Sequence, residues 1–178
     1  MPPLALVVTG APLAARAGEI ALAAVEAGWG VTVAASPASL PWIDSGLVER
    51  VTGRPVRDKF RSPGQSKPPR PEAVIACPLT FNSMSKLVFG IADNYATSLL
   101  CESLGARVPM VAAPMVNQRL WGHPAWDRHV ALLAEWGVVL VDVRTGEREI
   151  EAVPSGSSKD VIEGFDPQWL LSALPVSP

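Results

Sequence analysis

Leu4-Ala5-Leu6-Val7-Val8-Thr9-Gly10-Ala11-Pro12-Leu13-Ala14-Ala15 begins as an almost unbroken apolar run, stops at Thr9-Gly10, and passes into an Ala-rich stretch closed by Gly28. The run predicts a buried strand, and 13–27 predicts a helix with glycine just past its end. A second apolar run, 31–35, follows after a short link. Strand, helix and strand in that order make a right-handed crossover that sets the two strands parallel in one sheet. The turn Thr9-Gly10-Ala11 places a hydroxyl and free backbone N–H groups at a helix start, where the peptide dipoles favour an anion such as phosphate. With no GxGxxG around it, this turn does not indicate a dinucleotide site.

The pattern continues outward. Apolar runs at 73–77, 108–112 and 138–143 predict three further strands. Helices are expected after Pro78–Ser83 and through Gly90, over 95–104, over 120–136, and in a last short piece at 165–174. Short strands that are apolar on both faces and alternate with helices predict an α/β fold, a three-layer doubly wound parallel sheet of Rossmann or flavodoxin-like type.

Polar residues gather just past the strands, which is where an open α/β sheet binds its ligand. Ser36 would lie beside the first turn, either donating to the same anion or capping a short helix through Trp42 and Ile43. Pro78 stiffens a turn that offers Thr80, Asn82 and Ser83 as ligand partners or as ordinary helix caps. The third cluster, Pro114-Met115-Val116-Asn117-Gln118-Arg119-Leu120-Trp121, breaks an apolar run with a proline and an amide. Asn117 reads as a ligand contact or as the cap of the next helix. Three such clusters in one chain favour a ligand site.

Length and composition narrow the function classes. With 178 residues and 48% hydrophobic content the chain can bury one core, so 1–178 is expected to be a single domain. A net charge of -2 gives no general footprint for nucleic acid or an anionic membrane. No apolar run approaches a membrane span, and Met-Pro-Pro directly before a strand is unlike a signal peptide, so a soluble cytoplasmic protein is expected. Cys77 and Cys101 lie in apolar surroundings without CxxC spacing or a His pair, which predicts inert thiols and no metal site. Residues 54–71 hold five prolines and six Arg or Lys, and read as a basic surface loop able to attract an acidic substrate, a neighbouring subunit or only solvent. From about 144 a polar, Gly/Ser-rich extension is expected, ahead of the last helix.

Taken together, three boxes carry a resemblance. Pro114 to Trp121 is similar to a P-x-M-N-x-x-M-W box with Val116 and Leu120 at the methionine positions. Pro78-Leu79-Thr80-Phe81-Asn82-Ser83, followed by Gly90-Ile91-Ala92-Asp93-Asn94, is similar to a P-x-(S/T)-x-N-(T/S) box. Val8 to Ala15 looks like a T-G-S-I-A-A turn with Ala11 in place of the serine. In these the chain resembles the homo-oligomeric flavin-containing cysteine decarboxylases and their flavoprotein relatives, over roughly residues 4–143.

The resemblance implies FMN at a subunit boundary of a homotrimer, sometimes assembled into a dodecamer, and a C-terminal peptidyl cysteine or related small thiol acid as substrate. It implies that Thr9, Gly10, Ala11 and Ser36 surround the phosphate. Pro78, Thr80, Asn82 and Ser83 would line the flavin, with the backbone of Pro114 and Met115 near its ring, and Asn117 would contact the substrate carboxylate. Decarboxylating relatives carry a basic His ahead of the Pro-x-Thr box, and here the corresponding residues 54–71 contain none. Nor is the glycine-rich clamp of the phosphopantothenoylcysteine-processing branch found after the last strand, where 149–158 stands instead. The histidines are His123, in a turn that could approach a neighbour's flavin, and His129, read as a surface or interface residue six positions on. A non-catalytic FMN-binding oligomer and a flavin prenyltransferase are the alternatives to a decarboxylase.

Overall fold

The computed structural model describes residues 1–64 and 68–175. Five strands, β1 (Pro3–Val8), β2 (Gly30–Ala35), β3 (Ala73–Leu79), β4 (Met110–Pro114) and β5 (Val139–Leu140), pair in parallel in the order β2-β1-β3-β4-β5. This is the doubly wound, flavodoxin-like order that the alternating runs predict. The chain leaves β1 for one edge of the sheet and comes back to the other side of β1 for β3. That reversal opens a crevice above their carboxyl ends.

Side chains of each strand alternate between two layers. Leu4, Leu6 and Val8 of β1, Ile75 and Cys77 of β3, and Val111 and Ala113 of β4 belong to a core shared with α1 (Ala17–Glu26), α2 (Ser45–Thr52), α7 (Ser158–Gly164) and α8 (Gln168–Leu171). Ala5, Val7, Val74, Ala76, Met110 and Ala112 belong to the opposite core, against α3 (Phe81–Phe89), α4 (Tyr95–Gly105) and α6 (Trp126–Glu135). Both faces of the sheet are therefore covered, which is why the strands read as continuous apolar runs.

Several boundaries differ from the sequence expectation. Residues 13–27 are not one helix: Pro12–Arg16 forms a tighter 3-10 turn, with no side-chain cap from Ala11, before α1 begins. The helix expected over 120–136 is split into α5 (Gln118–Trp121) and α6, because Pro124 has no N–H to continue the ladder. Helix α2 was not anticipated, since Val48 is its single buried residue and leaves no apolar stripe to read.

The last strand pairs only through Val139 and Leu140, because Asp142 ends it. The buried Asp142 carboxylate accepts from the N–H groups of Arg144 (2.8 Å), Thr145 (3.1 Å) and Glu151 (2.8 Å), folding the chain into a turn. The polar stretch beyond 144 also contributes to the core, through Val153, Val161, Phe165, Leu170, Ala173 and Leu174. The basic loop is tied down at its start: Arg57 donates its N–H to Val33 and accepts from Ala35, which shields the β2 edge. Residues 65–67 of that loop lie outside the described residues. Among the described residues no helix is long and apolar enough to cross a membrane.

Candidate functional site

Three strand ends meet at the crevice between β1 and β3. Thr9 is fully buried, and its hydroxyl donates to the Pro78 carbonyl (2.8 Å) while accepting the Thr80 N–H (2.8 Å). The Thr9 N–H donates to the same carbonyl at 3.1 Å. Thr9 and Pro78 thus form the crosspiece that locks the end of β1 to the end of β3, rather than an open ligand contact.

Thr80 caps α3, its Oγ1 accepting the Ser83 N–H (3.2 Å) and lying 3.1 Å from the Ser83 hydroxyl. Ser83 is buried beneath this cap, whereas Asn82 is exposed on the first turn of α3. Met115 is anchored by donating its N–H to Leu79 at 3.0 Å, and Pro114 is buried as the last residue of β4.

A cleft of about 360 Å³ opens over these ends, lined by Gly10, Ala11, Thr80, Met115 and Asn117 among the residues anticipated from sequence. Phe81, Leu120, Val153 and Ser155 also line it and were missed. Val153 arrives because it donates its N–H to Val116 at 2.8 Å and bridges Asn117, so the chain beyond β5 becomes a wall of the cleft. No motif in that stretch signals the contact, since it rests on one backbone bond.

Gly10 approaches the loop after β2 so closely that a Cβ on it would stand 2.6 Å from the Ala38 Cβ and 2.9 Å from the Ala38 carbonyl oxygen. Ser39, passed over in the sequence, holds this loop in place. It is fully buried, with its hydroxyl at 2.9 Å from the Val8 carbonyl and 2.8 Å from that of Ser36. The buried Ser36 hydroxyl sits at 3.3 Å from that of Ser39. Among the described residues, the Gly10 and Ala38 N–H groups have no acceptor within the protein. Two amides without acceptors, next to a serine hydroxyl and beside a close-packed glycine, fit an anionic group such as the phosphate of FMN.

Asn117 performs the capping role and also lines the cleft. Its Oδ1 accepts the N–H groups of Arg119 (3.1 Å) and Leu120 (3.0 Å), so the amide is oriented with Nδ2 as its remaining polar group. A ligand at Asn117 consequently meets a hydrogen-bond donor, which suits a carboxylate.

Neither histidine lines the cleft. His123 accepts the Ala125 N–H on Nδ1 (3.1 Å), which places the proton of its neutral ring on Nε2. The expectation that His129 is a surface or interface residue is overturned: it is 3% exposed, because Trp126, His129 and Leu133 share the buried face of α6. Its Nδ1 lies 3.4 Å from the Ser85 hydroxyl, and its Nε2 is buried without a partner among the described residues. Burial foremost, then the charges of His123 and Arg128, hold its pKa below the ordinary histidine value. Both rings rest against Phe81, with centroids at 5.3 Å and 6.2 Å. The interruption of the helix around Pro124 makes this possible, since six positions on one continuous helix would diverge. Cys77 is buried and desolvation raises its thiol pKa, as it does for the half-buried Cys101, so neither is an activated thiolate.

Comparison with known proteins agrees with this architecture. The sequence profile of the family described as Flavoprotein matches residues 2–164. The bifunctional coenzyme A biosynthesis protein CoaBC of Mycolicibacterium smegmatis is 28% identical over 144 residues, covering 78% of this chain and 34% of that protein. This chain spans about a third of the length of the first curated relatives it matches. Among solved structures, a PPC decarboxylase mutant superposes with a TM-score of 0.73 at 19% identity, over 97% of this chain and 95% of that one. The FMN-dependent cysteine decarboxylase TvaF of thioviridamide biosynthesis gives 0.69 at 22% identity, over 79% and 90%. At these identities the structures establish a shared fold.

Proposed function

Because the chain belongs to the Flavoprotein family, we propose that it binds FMN over the β1/β3 crevice and oxidatively decarboxylates a C-terminal peptidyl cysteine or related thiol acid. The observation that carries this reading is the cleft itself, where Gly10 and the donor face of Asn117 line one space above the sheet end and the loop bearing Ala38 packs against Gly10. The chemistry FMN supplies when bound is two-electron oxidation of the substrate's thiol-bearing carbon, leaving a thioaldehyde that accepts the electron pair released as carbon dioxide departs.

The chain's own residues bind and orient. Gly10, Ala38 and Ser36 would take the phosphate, while Thr80 and the backbone at Met115 would border the flavin. Asn117 would hold the substrate carboxylate through Nδ2, aligning its Cα–carboxylate bond for cleavage. Thr9, Pro78 and Ser83 act from beneath, keeping those groups in register. Following the resemblance, the site is completed at a subunit boundary of a homo-oligomer.

A second reading, an FMN-binding oligomer without decarboxylase activity, is favoured by the histidines: residues 54–71 hold none, His129 is buried, and the Nδ1 of His123 is occupied. One experiment separates the two. Purified protein should be yellow and release FMN on extraction. Incubation with cysteine-ended peptides should bleach the flavin and remove the mass of carbon dioxide plus two hydrogens. Yellow protein that does neither supports the second reading, and colourless protein that yields no FMN removes both. Gly10→Ala, which forces a Cβ against Ala38, is expected to yield folded protein with strongly reduced flavin content, read as the ratio of visible to ultraviolet absorbance.

A further inference from the structure

A second concavity, of about 710 Å³, lies between the basic Pro-rich loop and α4. One side is a stripe of α4: Tyr95, Ser98, Leu99 and Glu102, spaced i, i+3, i+4 and i+7 along one helical face. At 1.5 Å per residue this stripe is about 10 Å long, the span of about three residues of extended chain. The opposite wall carries Pro63, Pro68, Pro69 and Pro71, which have rings and carbonyls but no N–H to offer. Such a wall complements a chain that brings its own backbone donors.

The charges and the aromatic pair narrow the occupant further. Arg57 and Arg70 line the groove, and among the described residues neither has a carboxylate within ion-pair distance. Phe60 is 58% exposed, held edge-on to Tyr95 with ring centroids 6.0 Å apart. An exposed phenylalanine sharing a groove with two guanidinium groups that have no carboxylate partner among the described residues suits a segment that carries both carboxylates and an apolar side chain. Glu102 on the same floor interrupts the positive field, which disfavours the continuous polyanion of a nucleic acid.

The groove also has a direction. Arg57 is bridged to Ala34, next to the last residue of β2, and Tyr95 starts the helix that leads into β4. Both therefore lie at the carboxyl end of the sheet, and the Glu102 end points away from it.

We propose that this groove holds an extended acidic segment of a peptide substrate, upstream of the residue that reacts. The inference rests on the peptidyl-cysteine reading above. Arg57 and Arg70 would pair with its carboxylates, and Phe60 and Tyr95 would pack its apolar side chain.

The test uses fluorescence anisotropy of full-length protein with three labelled probes: an Asp/Glu-rich peptide ending in cysteine, its Lys-rich counterpart, and a single-stranded oligonucleotide. The acidic peptide is expected to bind best, with affinity that falls as salt rises. Arg57→Glu combined with Arg70→Glu should weaken it by about tenfold or more, at unchanged circular dichroism. Phe60→Ser, an exposed change that leaves the charges intact, should weaken it as well and covers the case of a misfolded double variant. Equal binding of the acidic and Lys-rich peptides, insensitivity to these substitutions, or preference for the oligonucleotide would overturn the proposal. Charge-dependent peptide binding without any loss of carbon dioxide leaves the groove standing and removes the reaction proposed above. Decarboxylation without charge-dependent binding does the reverse.

Discussion

Asn117 caps α5 and lines the cleft, so under the proposed function one residue serves stability and recognition at once. Its Oδ1 is committed to the first amides of α5, and that commitment leaves Nδ2 as the group Asn117 can offer to a ligand. Asn117→Asp keeps an equally good cap, so unfolding free energy should change by no more than about 0.5 kcal/mol. The donor is replaced by a negative charge, however, and the KM for a cysteine-ended peptide should rise by about tenfold to a hundredfold. Asn117→Ala should lose the cap too, at about 1 kcal/mol in urea unfolding.

At His129 the buried ring favours its neutral form, so its folded-state pKa lies below the ordinary 6.5. As pH falls through 6.5 the unfolded chain takes up a proton that the folded chain refuses, and stability declines until the lower folded value is reached. Urea midpoints measured between pH 7.5 and 5.5 should therefore fall with pH, and His129→Phe should flatten that slope. The role of Asn117 was half legible in sequence, since capping and binding call for the same side chain. The burial of His129 is written only in its spacing from Trp126 and Leu133, three and four residues away on one helical face.

Among the elements, the strands were the easiest to read because burial on both faces leaves uninterrupted apolar runs. Helix ends were harder, since Pro12 and Pro124 act through missing N–H groups rather than through a change of pattern. The link between β1 and β3 depends on the Thr9 hydroxyl, which satisfies both the Pro78 carbonyl and the Thr80 N–H. Thr9→Val keeps the shape but leaves that N–H unpaired in the interior, and should destabilise by about 1–3 kcal/mol in urea unfolding. Thr9→Ser should recover most of it. Because the same crosspiece sets the position of Thr80, flavin retention should fall along with stability in the valine variant. No spacing rule pairs residues 9 and 78, so this contact lay beyond a reading of local pattern.

For the molecule as a whole, the segment after β5 decides more than its polar composition suggests. Val161, Phe165 and Leu170 are buried in the core that α1 and α2 cover only in part. Each such side chain contributes about 1.5–3 kcal/mol on burial. Together they rival the whole stability of an ordinary domain, about 5–15 kcal/mol. A chain ending at Pro154 should accordingly be recovered insoluble or without a cooperative thermal transition in circular dichroism. The same segment supplies Val153 and Ser155 to the cleft, so core and site are completed by one stretch of chain.

The order of apolar runs by itself determined a parallel, doubly wound sheet, because periodicity and burial are written into neighbouring residues. It also determined that polar groups would gather at the carboxyl ends of the strands. Only the tertiary structure decided which of those groups face a cleft and which are spent inside: Gly10, Thr80 and Asn117 line it, while Thr9 and Ser83 are buried beneath. The physical reason is that a hydroxyl or amide has no fixed allegiance in sequence. Its partner is whichever unpaired group the fold brings within about 3 Å, and here those partners come from strands and loops far apart along the chain.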